Sequence, residues 1–469
     1  MKVNDIMKLK SNLIGTKAFY RSVFAIVVPM IIQNTITNVV SLLDNVMVGR
    51  VGTLQMSAVT IVNQLMFVFY LCIFGGMAGA GIFATQYAGA KDNDGIRHCM
   101  RMKTIVGILM TVIALGVFLI FRQPLIEMYI AKDTLPEDAA ATIKYATDYM
   151  NIMLVGLLPF SIMQVYASSL REVGETKIPM FASISAILVN LVFNYLLIFG
   201  KFVFPRLGVA GAAIATVISR FVEAGIIILA ATLKRHKYPF ITGVFKSLYV
   251  PRNLAKQIIT KGMPLLVNEF LWSSSMAVLL QCYSVRGISV LSAVNISNTV
   301  NNLFNVVFLT MGNAVAIIVG QHLGANRIKE AKQSVWQLLT LSVVCCIVMG
   351  GIMACLAPFI PHIYKTEPQV KQMATYFLLT VAALMPVFAF AHNCYFTLRS
   401  GGRTIITFIF DSAFAWVIVV PLAFILSKYT ALPIVPLYII VQSLDIIKCI
   451  IGFFMVKKGM WIRNIIDTD

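Results

Sequence analysis

Residues 57–63 read SAVTIVN and residues 292–298 read SAVNISN, so one short motif recurs after 235 residues. The correspondence extends outward from this motif without a gap, since Pro29 falls on Pro264 and Gly52 on Gly287. Further pairs at the same offset are Gln86 with Gln321, Gly89 with Gly324, and Ala90 with Ala325. Self-similarity at a fixed spacing is the signature of a duplicated unit. The chain is therefore predicted to consist of two similar halves.

The composition of both halves is that of a membrane protein. Of the 469 residues, 59% are hydrophobic and 12% are charged, and the mean hydropathy is +0.85. Soluble proteins are about 45–50% apolar and about 25% charged. A net charge of +19 also occurs in nucleic-acid-binding proteins, but those need a solvated basic face, for which the apolar runs leave little room. We therefore predict an integral membrane protein with the lipid bilayer, and no nucleic acid, as its partner.

Twelve stretches have the length of about 20 apolar residues that a transmembrane helix needs. They cover residues 23–48, 57–88, 104–121, 149–169, 179–200, 208–232, 262–282, 290–322, 334–359, 374–397, 404–427 and 434–456. Their apolar runs are continuous rather than alternating, which excludes a β-barrel. The predicted fold class is therefore an all-α membrane protein with twelve transmembrane helices. The two longest stretches, 57–88 and 290–322, are expected to include a turn outside the membrane.

The duplication divides these helices into two pseudo-symmetric lobes of six. The predicted parts are a cytoplasmic segment at 1–22, an N-lobe at 23–232, a cytoplasmic linker at 233–261, a C-lobe at 262–456 and a cytoplasmic tail at 457–469. Because six is even, the lobes have the same topology and form a parallel repeat, as in several transporter folds. Late in each lobe the offset falls to 227 or 228, which pairs Pro159 with Pro386 and Arg171 with Arg399. Within the linker, residues 253–261 are predicted to form a short interfacial helix.

The distribution of basic residues predicts the orientation. With the N-terminus inside, the cytoplasmic segments hold 26 Lys and Arg residues and the outer loops hold 10. An excess of this kind in short loops marks the cytoplasmic side. The first span is too long for a secretory signal and is followed by no convincing cleavage site, so it is expected to stay in the mature chain. Both termini are therefore predicted to be cytoplasmic.

Five acidic residues lie within the predicted spans, where an ionisable group costs at least about 2.5–3.5 kcal/mol on insertion scales. They are Asp44, Glu223, Glu269, Asp411 and Asp445. Asp44 is near the outer end of the first helix and is either a functional acid or an interfacial residue that reaches water. Glu269 has apolar sequence on both sides, which favours a functional role over a purely structural one. The sequence assigns no role to Glu223 or Asp445.

Amide side chains accompany these acids. At the offset of 235, Gln33 corresponds to Asn268 and Asn34 to Glu269, so both lobes carry a polar pair but only the second pair is acidic. Asn190 and Asn194 are four residues apart and share a helix face. Their side chains either coordinate Na⁺ or form an interhelical polar clamp.

Two further groups of polar residues stand out in the second half. Asn298, Asn302 and Asn305 form a stripe on the eighth helix that is too polar to face lipid, and they are predicted to line a cleft. His392 lies deep in the tenth span and is either a packed neutral side chain or a protonatable group.

Several kinds of chemistry have no motif in this sequence. No Gly-x-x-x-x-Gly-Lys-Ser/Thr motif occurs, so ATP hydrolysis by that route is excluded. The eight cysteines include no Cys-x-x-Cys motif and are predicted to be buried free thiols. No cofactor and no catalytic residue are predicted. The energy for any transport is expected to come from an ion gradient or from a partner.

Taken together, these residues resemble one family, the bacterial multidrug and toxic compound extrusion (MATE) transporters. In the first lobe the matching pieces are Pro29 with Asp44–Gly49, Gln86–Gly89 and Gly208–Thr216. In the second lobe they are Gly262–Pro264, Asn268–Glu269, Gln321–Gly324 and Leu398–Arg399. The pieces are individually weak but jointly specific, and with the two six-helix lobes the resemblance covers nearly the whole chain.

The resemblance implies a function. It implies efflux of amphipathic, cationic or other xenobiotic small molecules in exchange for H⁺ or Na⁺, by alternating access of the two lobes. It also implies a monomer in the bacterial inner membrane. A cation-coupling site is implied at Asp44, Asn190, Asn194 and Thr216, and any Na⁺ would bind at Asp44, Asn190 and Asn194.

A substrate or second cation site is expected around Glu269. Its candidate residues are Gln33, Asn34, Asn268, Glu269, Asn298, Asn302, His392 and Asp411. Sodium-coupled relatives often carry an aspartate in the tenth helix, which the stretch 388–393 of this chain does not have. Asp411 or His392 is expected to take its place.

Two other functions fit the sequence less well. A flippase for a lipid-linked substrate of the same superfamily would need a cationic cleft, yet the spans contain only Arg220 and Lys448 as basic residues. A membrane-embedded enzyme or a channel would need a catalytic constellation or a pore motif, and the sequence shows neither.

Overall fold

The computed structural model describes residues 13–130 and 135–467. Parts of the predicted N-terminal segment (1–12) and of the predicted C-terminal tail (468–469) lie outside the described residues. Within the described part the chain is helical throughout and contains no strand, which confirms the predicted all-α class.

Fifteen helices make up the described chain, apart from three short 3₁₀ turns. They are α1 (Lys17–Gly49), α2 (Thr53–Ala90), α3 (Asn93–Ile120), α4 (Arg122–Glu127), α5 (Pro136–Val155), α6 (Leu157–Glu172), α7 (Lys177–Phe199), α8 (Val209–Leu233), α9 (Arg252–Ser284), α10 (Ile288–Phe304), α11 (Val306–Gly324), α12 (Ile328–Leu356), α13 (Pro368–Ser400), α14 (Thr404–Tyr429) and α15 (Ile434–Lys457). Leu444 interrupts the regular helix of α15, and α14 contains two π-helical turns.

Eleven of the described helices are long and apolar enough to cross a membrane. The helices α5 and α6 make a twelfth span if they are counted as one, because they meet at Gly156 with a bend of 45°. The sequence predicted one unbroken span at 149–169. The structure has a span in this region, but the span is bent rather than straight. Glycine is a poor helix former, so a break in the helix costs least at Gly156.

Three other predicted elements differ from the structure. Residues 253–261 do not form a separate short helix but begin the 33-residue helix α9, which continues through Pro264. The predicted span 290–322 is divided at Asn305 into α10 and α11. The predicted span 57–88, in contrast, is one 38-residue helix without a turn. Apolar runs therefore located these elements, whereas their breaks depend on packing that composition does not report.

The described residues form two compact units. Unit A contains Ile32–Ala84 and Asn93–Ile259, and unit B contains the residues up to Ile31, Thr85–Asp92 and the chain from Thr260 onward. In unit B, aromatic residues of α9, α13 and α15 form one core, in which the rings of Phe377 and Tyr438 lie 4.3 Å apart. A second core of unit B joins residues 23–30 of α1 to α11–α13 and includes the buried Trp461.

The outward faces of the helices are apolar. On α3, for example, Leu109, Val112 and Ile113 are between 51% and 60% exposed. Large contiguous apolar surfaces of this kind are rare in monomeric soluble proteins. They suit helices that face lipid.

The ends of α2 and α11 cross closely in unit B. A Cβ atom at Gly89 would overlap the backbone carbonyl of Gln321, and one at Gly324 would overlap the carbonyl of Gln86. Only glycine permits this approach. The repeat-related motifs Gln86–Gly89 and Gln321–Gly324 therefore pack against each other.

The linker between the two halves is held on unit A by several side chains, of which Arg101 makes the most hydrogen bonds. Arg101 of α3 is buried and donates hydrogen bonds to the carbonyls of Val244 (2.8 Å), Tyr249 (3.1 Å) and Gly243 (3.4 Å). Charge-assisted hydrogen bonds are among the stronger ones in proteins. The basic stretch after α8 is thus an ordered element of unit A.

Candidate functional site

A cavity of about 330 Å³ lies inside unit A, among helices α1, α2, α5, α7 and α8. Its wall includes the four residues of the predicted cation-coupling site, Asp44, Asn190, Asn194 and Thr216. The structure therefore brings these four side chains together. Their part in ion coupling remains a prediction.

Asp44 is held by the amides of α7. Asn194 Nδ2 donates to Asp44 Oδ1 at 2.7 Å and also to Asn190 Oδ1 at 3.0 Å. Because Asn190 and Asn194 are one helical turn apart, both amides point at the same carboxylate. Thr216 of α8 completes the group, since Asn190 Nδ2 donates to its Oγ1 at 3.4 Å.

The amide of Asn190 has two orientations with different consequences. Rotated by 180°, its nitrogen would donate to both oxygens of Asp44, at 3.2 Å and 3.1 Å. In the other orientation its oxygen occupies that place, so acceptors face each other unless a proton or a cation lies between them. Asn194 Oδ1 is also buried and accepts no hydrogen bond from the described residues. These oxygens fit a monovalent cation or a protonated carboxyl group.

A charged network reaches the same cavity, and Gln33 is its only member that the sequence predicted as a site residue. Gln33 Nε2 donates to Ser183 Oγ at 2.6 Å, and Ser183 Oγ donates to Glu223 Oε1 at 2.5 Å. Arg220 Nη1 lies 3.3 Å from Glu223 Oε2. Arg171 Nη2 donates to Gln33 Oε1 at 3.3 Å. The network neutralises Glu223, which was one of the five acids in the predicted spans.

One sequence signal could have revealed this network. Arg220 and Glu223 are three residues apart on α8, a spacing that places opposite charges on one helix face. Aromatic rings add to the site, because the guanidinium of Arg220 lies 5.0 Å from the ring of Phe160 and 5.8 Å from that of Tyr70. Tyr149 also lines the cavity, and its hydroxyl donates to Asn63 at 3.4 Å.

Unit B contains a second polar cluster, built around Asn268 and Asp411. Asn268 Nδ2 donates to Asp411 Oδ2 at 3.2 Å, and Lys448 Nζ donates to Asp411 Oδ1 at 2.9 Å. Ser412 Oγ donates to Asn268 Oδ1 at 2.7 Å. Asp411 lies in a π-helical turn of α14, a feature that is frequent at functional sites. Lys448 is a member of this cluster that the sequence analysis did not assign to the site.

Glu269 is partly buried next to this cluster, and Arg399 and Asp411 are near enough to act on it electrostatically. His392 lies on α13, with its ring centroid 4.9 Å from that of Phe396 and 5.4 Å from that of Phe308. Its Nε2 atom is buried and has no hydrogen-bond partner among the described residues. The structure therefore shows His392 packed among aromatic rings.

The candidate residues of the predicted substrate or second cation site fall in different units. Gln33 and Asn34 belong to unit A, whereas the other six candidates belong to unit B. Asn298 and Asn302 are exposed on α10, and Asn305 is half-buried. An exposed amide stripe suits an open aqueous space better than lipid.

The whole chain is similar to known proteins of one family. The MatE family model matches residues 29–196 and 264–425. The chain is 23% identical over 448 residues to the probable multidrug resistance protein NorM of Thermotoga maritima, covering 96% of this chain and 94% of that protein. It is 27% identical over 431 residues to the probable multidrug resistance protein YoeA of Bacillus subtilis, covering 90% and 89%.

Solved structures show the same fold. An outward-facing multidrug resistance MATE family transporter of the MOP superfamily superimposes with a TM-score of 0.84 at 19% identity, covering 94% of this chain and 95% of that one. The Vibrio cholerae MATE transporter VcmN also gives a TM-score of 0.84, at 18% identity, covering 97% and 99%. The resemblance predicted from the sequence motifs is confirmed. The chain belongs to the MatE family of multidrug and toxic compound extrusion transporters, which are multi-pass membrane proteins and not a class of enzymes.

Proposed function

We propose that this chain is a secondary active transporter that exports organic cations or other amphipathic xenobiotics in exchange for H⁺ or Na⁺, by alternating access. Membership of the MatE family and the names of the multidrug resistance relatives support the substrate class. The geometry of the cavity in unit A supports the exchange with a cation.

The observation that carries this proposal is the convergence of two amide side chains on the carboxylate of Asp44. The carboxylate and the amides of Asn190 and Asn194 meet in one cavity, and the buried Asn194 Oδ1 has no donor among the described residues. Na⁺ is a hard cation that binds such oxygens, and a proton on Asp44 would serve the same purpose. The residues that would hold the cation are Asp44, Asn190, Asn194 and Thr216.

Coupling follows if ion and substrate favour different conformations or compete for one negative charge. The ion binds at Asp44 from the outside, promotes release of the substrate and then dissociates on the cytoplasmic side. One elementary charge that crosses about 100 mV contributes about 2.3 kcal/mol. For an uncharged substrate, a single ion therefore supports a gradient of roughly 50-fold from voltage alone. Exchange of one ion for a monovalent organic cation moves no net charge and is driven by the concentration gradient of the ion.

In the second half we propose that Glu269 contributes a negative charge to the binding of substrate or of a second cation. Asp411 is already paired with Lys448 at 2.9 Å, so it is a weaker candidate for the missing acid than the sequence suggested. The ring of His392 is packed between Phe308 and Phe396. This packing favours a structural side chain over a protonatable group.

The cavity geometry disfavours the flippase. A lipid-linked diphosphate needs cationic side chains with free charge, but Arg220 is paired with Glu223 and Lys448 with Asp411. Neither residue offers an unbalanced positive charge to a polyanion.

We also propose that both termini lie in the cytoplasm of a bacterial cell and that the protein acts as a monomer. The orientation rests on the distribution of basic residues, and the monomer rests on the family.

The test is transport of a fluorescent organic cation in proteoliposomes, under an imposed gradient of either pH or Na⁺. The unsubstituted protein should transport under at least one gradient. The variant Asp44→Asn should lose ion-driven transport, and Glu269→Gln should weaken it. Glu137→Gln, an exposed acid at the start of α5, is the matched control and should transport normally.

Two outcomes would contradict the proposal. If Asp44→Asn and Glu269→Gln both transported at the rate of the unsubstituted protein, neither acid would have the role given to it. If no gradient drove transport by the unsubstituted protein, the exchange mechanism itself would be wrong.

A further inference from the structure

Unit B contains a lysine inside a predicted span to which the proposed function gives no role. Lys448 lies on α15, and its side chain is only 14% exposed. Its ammonium nitrogen is 2.9 Å from Asp411 Oδ1 and 3.8 Å from Asp445 Oδ1. An ammonium group at this depth is costly unless it is paired, so the two carboxylates keep it charged and in place.

The surroundings of this ammonium are those of a cation site. Two aromatic rings also face the ammonium group. The centroids of Phe410 and Phe414 each lie 5.8 Å from Lys448 Nζ. Aromatic faces attract cations. Asn268 fixes the far oxygen of Asp411 by donating to it at 3.2 Å. Carboxylates from two helices and two rings thus surround one positive charge that the chain itself supplies.

Unit A has a corresponding arrangement at repeat-related positions. Arg220 and Lys448 are 228 residues apart, and so are Ser183 and Asp411. This is the offset at which Arg171 pairs with Arg399 in the same part of the two halves. Each half therefore carries a basic residue at the same position of its last helix, Arg220 on α8 and Lys448 on α15.

The amides that contact the repeat-related positions Ser183 and Asp411 agree as well, although Arg220 itself pairs with Glu223. In unit A an amide of α1, Gln33, donates to Ser183 at 2.6 Å. In unit B the repeat-related amide Asn268 of α9 donates to Asp411. The second half has a carboxylate where the first has a hydroxyl, and this carboxylate faces the built-in cation.

We propose that Lys448 is a tethered cation that occupies the site formed by Asp411 and Asp445 and closes this site to free Na⁺. The consequence is that removing the ammonium, and nothing else, should turn the cluster into a binding site for a monovalent cation. This proposal goes beyond the proposed function and does not depend on ion binding at Asp44. A purely structural ion pair predicts a different result, which is loss of stability without any gain of ion binding.

The experiment measures thermal unfolding of the purified protein in detergent at pH 8, in Na⁺ and in choline at the same ionic strength. All variants carry Asp44→Asn, which removes the proposed site in unit A. The variant with Asp44→Asn alone gives the baseline, which includes any response to Na⁺ from the second cation site proposed at Glu269. With Asp44→Asn and Lys448→Ala together, Tm should rise by a few degrees above this baseline as Na⁺ increases, because a ligand that binds only the folded state stabilises it.

A third variant assigns the shift to the cluster. Adding Asp411→Asn to the pair Asp44→Asn and Lys448→Ala should return the response to Na⁺ to the baseline. Lys458→Ala, an exposed lysine near the end of the same helix, is the matched control and should gain no response. Binding of radioactive Na⁺ by the same variants should follow the same order.

Lys448→Met is a second route if the alanine variant does not fold, because methionine keeps most of the side-chain volume without the charge. The proposal is overturned if neither Lys448→Ala nor Lys448→Met gains a response to Na⁺, or if neither variant folds. It is equally overturned if Asp44→Asn alone responds to Na⁺ and loses this response with Asp411→Asn. Failure of transport in the earlier proteoliposome test would leave these results unaffected, so the two proposals fail separately.

Discussion

At the scale of single residues, the polar side chains in the spans differ by whether the structure satisfies them. Glu223 and Asp411 have basic partners, at 3.3 Å from Arg220 and 2.9 Å from Lys448. Asp44 has amide partners and no ion pair among the described residues. A carboxylate whose charge is not balanced by the protein is the one that can respond to an external cation. This contrast singles out Asp44 more sharply than its position in the sequence does.

The residue-scale prediction concerns the amide that holds Asp44. Replacing Asn194 by Ala removes the 2.7 Å hydrogen bond and one candidate oxygen ligand. A hydrogen bond donated to a carboxylate stabilises its charged, ion-free form by about 1.5–3 kcal/mol. Its loss should therefore lower the concentration of H⁺ that half-saturates transport roughly 10- to 100-fold, whereas loss of the oxygen ligand should raise the half-saturating concentration of Na⁺. The measurement is the ion dependence of transport in proteoliposomes. Tyr195→Phe, the exposed neighbour on α7, should leave it unchanged, and an unchanged value in Asn194→Ala would contradict the proposed ligand role.

At the scale of helices, the breaks are placed where helix packing and side chains compensate for lost backbone hydrogen bonds. The span α5–α6 bends at Gly156, and α14 contains a π-helical turn that presents Asp411 to Lys448 and Asn268. A π-turn shifts the register of a helix by one residue. The orientation of Asp411 therefore depends on a local deviation that apolar periodicity does not reveal.

The helix-scale prediction uses the crossing of α2 and α11. A Cβ atom at Gly324 would overlap the backbone of Gln86, and backbone cannot move aside as a flexible side chain can. Gly324→Ala should therefore lower the free energy of unfolding by about 1–3 kcal/mol, the usual cost of overpacking. Gly351→Ala on α12 is the matched control because nothing lies within 4 Å of its Cβ position.

The control should have the opposite sign. Alanine is the better helix former by about 1 kcal/mol, so Gly351→Ala should leave stability unchanged or raise it. Thermal unfolding of both variants in detergent is the measurement. Equal stability of Gly324→Ala and Gly351→Ala would show that α2 and α11 do not cross as closely as the structure has them.

At the scale of the whole molecule, the duplication has left similar scaffolds with different charges. The repeat-related pairs Gln33 with Asn268 and Ser183 with Asp411 keep their hydrogen bonding, at 2.6 Å in unit A and 3.2 Å in unit B. Asp44, however, corresponds to Leu279, a buried core residue. The two halves therefore provide one fold twice and two different electrostatic environments.

The whole-molecule prediction is the orientation in the membrane. Phe202, 90% exposed between α7 and α8, is predicted to be outside, and Leu248, 48% exposed between α8 and α9, is predicted to be inside. A membrane-impermeant maleimide applied to intact cells should label Phe202→Cys. It should label Leu248→Cys only after the cells are permeabilised.

The unsubstituted chain is the baseline for this labelling because it already has the exposed Cys355. Labelling of Leu248→Cys but not of Phe202→Cys in intact cells would mean an inverted orientation. The excess of basic residues would then not govern topology in this protein.

The sequence alone determined the all-α membrane class, and it predicted twelve spans and a duplication, because the apolar runs follow directly from the cost of placing polar groups in lipid. It also singled out Asp44, Asn190 and Asn194, since polar residues are rare inside spans and are noticed there. Their helical spacing was enough to place both asparagines on one face.

Only the tertiary structure decided which polar residues meet. The contacts of Asp44 with Asn194, of Ser183 with Glu223 and of Lys448 with Asp411 join helices that are 37 to 150 residues apart in sequence. Periodicity within one helix tells which residues share a face, but not which other helix that face meets or how a π-turn rotates it. Whether a buried acid is neutralised by a basic partner therefore depends on the packing of the helices, and this is what separates Asp411 from Asp44.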